Sequence, residues 1–126
     1  MNIDRIDHLN ITVADLDRSL EFYERVLGMR TERMGEGRAA LLFGRQKIHL
    51  DLAGAPRRTD GAMSGDKRLP AHICFVTDTP IPEVAAHLER CGVPIRMQGP
   101  RAGATGTIQS VYIDDPDNHS IEISTY

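Results

Sequence analysis

Cysteine is scarce in this chain, with only Cys74 and Cys91 among 126 residues and no CxxC pair. A cysteine-built zinc finger is therefore excluded, and both thiols, lying in apolar stretches, are expected to be buried and unpaired. No run reaches the roughly 18 to 20 apolar residues that span a bilayer, so a membrane is not an expected partner. Met1-Asn2-Ile3-Asp4 leads into a strand-like pattern without the apolar stretch of a signal peptide, which makes a cytoplasmic protein the expectation. Positive charge is not in excess either: fifteen Lys and Arg stand against eighteen Asp and Glu, a formal charge of −3. Without a broad basic field there is little counterion release to drive nucleic-acid binding.

What is present suits a globular core, because 40% of the residues are hydrophobic and 26% charged. From Ile6 to Val13 apolar and polar residues alternate, with Asp7, Leu9, Ile11 and Val13 on one side and Ile6, His8, Asn10 and Thr12 on the other. This is the pattern of a half-buried strand. Asp15 can cap a helix over residues 16 to 27, whose apolar positions Leu16, Leu20, Tyr23 and Leu27 keep helical spacing and which Gly28 ends. Strands are expected at Met29–Met34, Arg38–Phe43 and Lys47–Leu52, divided by the turns Gly35-Glu36-Gly37 and Gly44-Arg45-Gln46.

Gly54 to Leu69, rich in glycine and charge and without helical or strand period, reads as a connecting loop. Beyond it the order repeats: a strand at Ala71–Val76, a helix at Ile81–Cys91 ended by Gly92, and strands at Ile95–Gln98, Thr107–Asp114 and His119–Ser124. The expected fold is α+β, a single domain of two βαβββ modules at about residues 1–53 and 70–126 joined by a linker at about 54–69.

The repeat makes positions equivalent. His8 matches His72 in the first strand of each half, and Lys47-Ile48-His49-Leu50-Asp51 matches Ser120-Ile121-Glu122-Ile123-Ser124, so His49 matches Glu122. Isoleucine and leucine flank His49 and Glu122, which turns both polar side chains away from the helix-covered layer. The four residues are expected on one face of a strongly curved sheet. Three imidazoles and a carboxylate form a first shell for one divalent Zn, Ni, Co, Mn or Fe(II) ion, and octahedral coordination leaves two positions for water or substrate. A polar cavity without metal is the alternative. His87, on the second helix with no counterpart in the other half, and His119, after the turn cluster Asp114-Asp115-Pro116-Asp117-Asn118, are read as structural.

On these residues the chain resembles the vicinal oxygen chelate superfamily, which includes glyoxalase I, methylmalonyl-CoA epimerase, fosfomycin-resistance thiol transferases, type I extradiol dioxygenases and metal-free bleomycin-binding proteins. The motifs are DHLNITVADLDRSLEFYERVLGM, KIHLD, AHICFVTD and GATGTIQSVYIDDPDNHSIEISTY, and together they cover nearly the whole chain. The resemblance implies paired βαβββ modules whose curved sheets surround a metal, with ligands at His8, His49, His72 and Glu122. It also implies a homodimer, with the four ligands meeting either inside one subunit or with His8 and His49 of one subunit facing His72 and Glu122 of another. The end motif is similar to that of small glyoxalase-domain and virulence-associated proteins. Those often carry asparagine where this chain has His49 and aspartate where it has His72.

The resemblance implies a small oxygenated organic substrate and leaves several chemistries open. In a glyoxalase-like lyase or isomerase, Lewis-acid stabilisation of an enediolate accompanies proton transfer between adjacent carbons, with Glu122 as the base. His49 stands where glyoxalase I commonly has a second glutamate, and Thr12 replaces an arginine that often binds glutathione. In an extradiol dioxygenase, Fe(II) is held by His8, His72 and Glu122; Tyr112 fits that pattern, but no histidine precedes it in GATGTIQS and Asn118 replaces a glycine. Thiol transfer to a phosphonate would draw on Arg38, Arg96 and Arg101. A small-molecule-binding or resistance protein without turnover is the reading from another class.

Overall fold

Asp15 ends a strand and begins a helix, and the computed structural model of the chain shows how. Its backbone is extended, and its side chain accepts the Arg18 N–H at 3.0 Å, satisfying one of the donors that a helix start leaves open. Helix α1 (Leu16–Leu27) has the expected bounds and stops where Gly28 takes a left-handed φ of 65°, a conformation that costs glycine nothing. The structure describes residues 1–55 and 70–126, so most of the loop read over Gly54–Leu69 lies outside the described residues. The chain divides into two compact units, Met1–Leu69 and Pro70–Tyr126.

In the first unit β1 (His8–Val13), β2 (Arg30–Arg33), β3 (Arg38–Phe43) and β4 (Gln46–Leu52) form one sheet in the order β1-β4-β3-β2. Strand β1 runs parallel to β4, while β4–β3 and β3–β2 are antiparallel. The second unit repeats this with β5 (His72–Val76), α2 (Ile81–Arg90), β6 (Met97–Ala102), β7 (Thr107–Asp114) and β8 (Ser120–Thr125), in the order β5-β8-β7-β6. The fold is thus α+β, two βαβββ modules with curved mixed sheets that do not close. The strands carrying His8, His49, His72 and Glu122 belong to two sheets, not to one. Each module hydrogen-bonds its own four strands, because the parallel partner of each first strand is the last strand of the same half.

Alternation sets the core of each unit. In the first, Ile11, Val13, Leu41, Ile48 and Leu50 share a buried sheet face, and α1 lays Leu20, Tyr23 and Val26 over the sheet. In the second, Val111, Ile113, Ile121 and Ile123 form the buried face, and α2 contributes Val84 and Leu88. Burying each such side chain contributes roughly 1.5–3 kcal/mol, which keeps the opposite, polar face turned away from the helix.

Strand β6 departs from expectation: it runs Met97–Ala102 where Ile95–Gln98 was expected. Gly99 and Pro100 read as strand breakers, yet β6 is the edge strand of its sheet, where proline is tolerated because one side of the strand needs no ladder bonds. The thiols also differ from expectation. Cys91 is only half-buried, and Cys74 is exposed, because it lies two residues after His72 on β5 and so shares that residue's polar face. No helix among the described residues is long and apolar enough to cross a membrane.

Candidate functional site

Register fixes which side chains meet. In the first sheet, parallel pairing sets Asn10 opposite His49 and Thr12 opposite Asp51, so His8, Asn10, His49 and Asp51 stand on one face. The rings of His8 and His49 meet edge to face with centroids 5.0 Å apart. His8 Nδ1 lies 2.8 Å from Asp7 Oδ2, and this contact with His8 lowers the Asp7 carboxyl below its ordinary range. A carboxylate on one ring nitrogen orients the imidazole and leaves Nε2 as its outward donor atom, the arrangement that supports metal-ligating histidines. Beside them Asn10 Nδ2 donates to Asp51 Oδ2 at 2.9 Å, so the buried Asp51 carboxylate is held.

The second sheet builds the equivalent pair with different chemistry. His72 Nε2 lies 3.0 Å from Glu122 Oε2, across the parallel pairing of β5 with β8. The Ser110 hydroxyl donates to Glu122 Oε1 at 2.6 Å and stands 2.8 Å from Ser124 Oγ, which lies 3.3 Å from Cys74 Sγ. Tyr112, opposite Glu122 on β7, hydrogen-bonds the same carboxylate, packs its ring against His72 at 5.8 Å and carries the Arg101 guanidinium 5.2 Å above its centroid. Burial alone would push the Glu122 carboxyl up, but the hydrogen bonds from Ser110, His72 and Tyr112 outweigh it and hold the group below its ordinary value. Glu122 is thus buried and ionised. Partial desolvation of the Cys74 thiol against this face, with the nearby Glu122 charge, pushes it up against the hydrogen bond to Ser124 and keeps it protonated.

The four residues singled out in the sequence therefore stand as two pairs, His8 with His49 and His72 with Glu122, one on each sheet. Among the described residues no group of three or more His, Cys, Asp or Glu side chains gathers closely enough to hold a metal. The donor chemistry of the second pair nonetheless fits an ion. Two donors about 2.1 Å from one metal and at right angles to each other stand about 3.0 Å apart, the separation of His72 Nε2 and Glu122 Oε2. His87 sits on α2 with Nε2 3.5 Å from Cys91 Sγ, and His119 is buried with Nδ1 accepting the Ala71 N–H at 2.8 Å, so both make local contacts. Sequence reasoning missed Ser110 and Ser124. Ser124, two residues after Glu122 on the same strand, could have been found by parity alone, whereas Ser110 needed the β7–β8 register.

Over residues 5–123 the chain matches the Glyoxalase/Bleomycin resistance protein/Dioxygenase superfamily, and it belongs to that family. It is 44% identical to a virulence protein of Salmonella typhimurium over 134 aligned positions, covering all of this chain and 87% of that protein. A lactoylglutathione lyase of Haemophilus influenzae is 30% identical over 129 positions, covering 94% of this chain and 90% of the lyase. Among solved structures, an integron cassette protein from the mobile metagenome of V. cholerae superimposes with a TM-score of 0.89 at 42% identity, covering 100% of this chain and 98% of that one.

Proposed function

We propose that this chain is a metal-dependent lyase or isomerase of the glyoxalase kind that acts on a small oxygenated organic substrate. The observation that carries the reading is the 3.0 Å contact of His72 Nε2 with Glu122 Oε2, on a polar face where the carboxylate is buried and ionised. In this reading His8, His49, His72 and Glu122 hold one divalent ion, Zn, Ni, Co, Mn or Fe(II), in a homodimer. Bound there, the ion would supply Lewis acidity toward substrate oxygens.

The chain's own residues divide the remaining work. Asp7 orients His8 through Nδ1, so the imidazole need not be ordered when a ligand arrives. Ser110 anchors Glu122 Oε1, and the carboxylate would carry a proton from one substrate carbon to the neighbouring carbon. Burial of the carboxylate keeps water from competing for that proton. The 30% identity to a lactoylglutathione lyase supports the lyase reading.

A second reading has one specific observation in its favour. Tyr112 bonds Glu122 and packs on the His72 ring, so its hydroxyl stands beside two of the residues that would hold Fe(II) in a ring-cleaving dioxygenase. Metal analysis of protein purified without added metal, followed by two assays, separates the readings. Solvent deuterium entering α-hydroxycarbonyl substrates in the presence of Ni²⁺ or Zn²⁺ is the expected result. Oxygen uptake on catechols with Fe²⁺, and no such exchange, would overturn the lyase reading.

A further inference from the structure

Each ligand histidine enters its strand from a residue fastened to the last strand of the same module. In the second unit the Ser120 N–H donates to Ala71 O at 2.8 Å, and in the first the Lys47 N–H donates to Asp7 O at 3.2 Å. Lys47 pairs with His8 and Ser120 with His72, so these two backbone bonds are equivalent in the repeat. The residues just before Lys47 and Ser120 are Gln46 and His119. Each reaches back to the segment leading into a ligand histidine: Gln46 Nε2 donates to Ile6 O at 2.6 Å, and His119 Nδ1 accepts the Ala71 N–H at 2.8 Å.

We infer that Gln46 and His119 are equivalent positioning residues, side-chain tethers that set the entry of β1 and β5 and so place His8 and His72 against the strands bearing His49 and Glu122. Parallel strand ends need such a device, since no tight turn joins β1 to β4 or β5 to β8 and nothing local fixes where the pairing begins. A slip of one residue would send each histidine to the opposite face. The two tethers use opposite polarity. An amide nitrogen only donates, so His119 presents Nδ1 without a proton, whereas Gln46 acts as the donor toward a carbonyl. His119 is itself fixed: its backbone N–H donates to Asp115 Oδ1 at 2.8 Å, and the ring is buried.

The inference rests on the metal-site reading only for its affinity arm. Amide hydrogen exchange on the full, metal-free chain tests the tether directly. In His119→Phe, which keeps a buried ring but has no acceptor, the Ala71 amide should exchange at least about tenfold faster while the Leu41 and Val111 amides keep their protection. His119→Asn should restore slow exchange, since Oδ1 offers an acceptor in place of Nδ1. In the first unit Gln46→Met should speed exchange at Lys47 in the same way. Zn²⁺ affinity should fall about tenfold in His119→Phe and recover in His119→Asn, the size usual for a group that orients a ligand. Unchanged Ala71 exchange in a folded His119→Phe, or no recovery in His119→Asn, would overturn the assignment. Should His119→Phe lose protection throughout, unchanged Lys47 exchange in Gln46→Met would overturn it as well. If the wild-type protein binds no Zn²⁺ the metal-site reading fails, while the exchange results still decide the tether.

Discussion

His72 and Glu122, fifty residues apart in the chain, meet at 3.0 Å because β5 and β8 pair in parallel with Cys74 opposite Glu122. That offset places His72 two positions from the residue facing the carboxylate, on the same side of the sheet. The contact joins a half-exposed imidazole to a carboxylate of which 7% of the side chain is accessible. The pair therefore has one anchored member and one that can turn outward.

Removing members of the two pairs should have unequal consequences from removing the helix histidine. His49→Ala and His72→Ala are each expected to weaken Zn²⁺ binding by more than about tenfold, while His87→Ala, whose ring neighbours Cys91 on α2, changes it by less than about twofold. Titration calorimetry or competition with a chromogenic chelator reads this. Equal losses in all three would contradict the assignment.

If the ligand pairs of two copies combine, mixing inactive variants should restore one site. A dimer of one His49→Ala chain and one His72→Ala chain would hold one doubly broken site and one intact site. Refolding equal amounts of the two unfolded variants together makes half of the dimers mixed, each with one intact site of two, so the expected outcome is recovery of about a quarter of the wild-type Zn²⁺ capacity. No recovery would show that each chain completes its own site.

The sign of the Glu122 shift fixes a pH window. Its carboxyl is lowered from the ordinary 4.5, so the folded state binds its proton less readily than the unfolded chain does. The resulting stability is full above the unfolded value and is lost as pH falls through the folded one. In chelator-treated protein, the difference in unfolding free energy between wild type and Glu122→Gln should stay level above about pH 6 and shrink below about pH 4.5. Ser110→Ala, which removes the 2.6 Å hydrogen bond, should move that decline to higher pH.

Two tyrosines should titrate on opposite sides of the ordinary phenol value. Hydrogen bonds from the Thr105 side chain and backbone and from Ala104 N–H lower Tyr126, while burial, reinforced by the Glu122 carboxylate and opposed by Arg101, raises Tyr112. Phenolate absorbance followed against pH should lose its earliest component in Tyr126→Phe and a late one in Tyr112→Phe.

Gly103 is closely surrounded. A Cβ there would lie 2.8 Å from Ile108 Cγ2, 2.8 Å from the Tyr126 hydroxyl and 2.9 Å from Gly106 O. The last is backbone and closes the turn through Gly103 N–H at 2.8 Å, so it cannot yield cheaply. Gly103→Ala should destabilise the protein by about 1–3 kcal/mol in denaturant unfolding, and less in a Tyr126→Phe background where one obstacle is gone.

Much of this protein was legible in its residues. Asp15 and Gly28 bound α1 correctly because capping and left-handed backbone are local properties, and alternation around His49 and Glu122 named the polar face because side-chain parity on a strand is local too. The repeat supplied the equivalence of His8 with His72 and of His49 with Glu122. Tertiary structure decided the rest: that the strands form two sheets, that β6 passes through Pro100 at an edge, and that Ser110 and Tyr112 of β7 stand against Glu122. Those facts depend on which strand lies beside which, and in what register. Register is set by packing between segments far apart in the chain, so no window of neighbouring residues contains it.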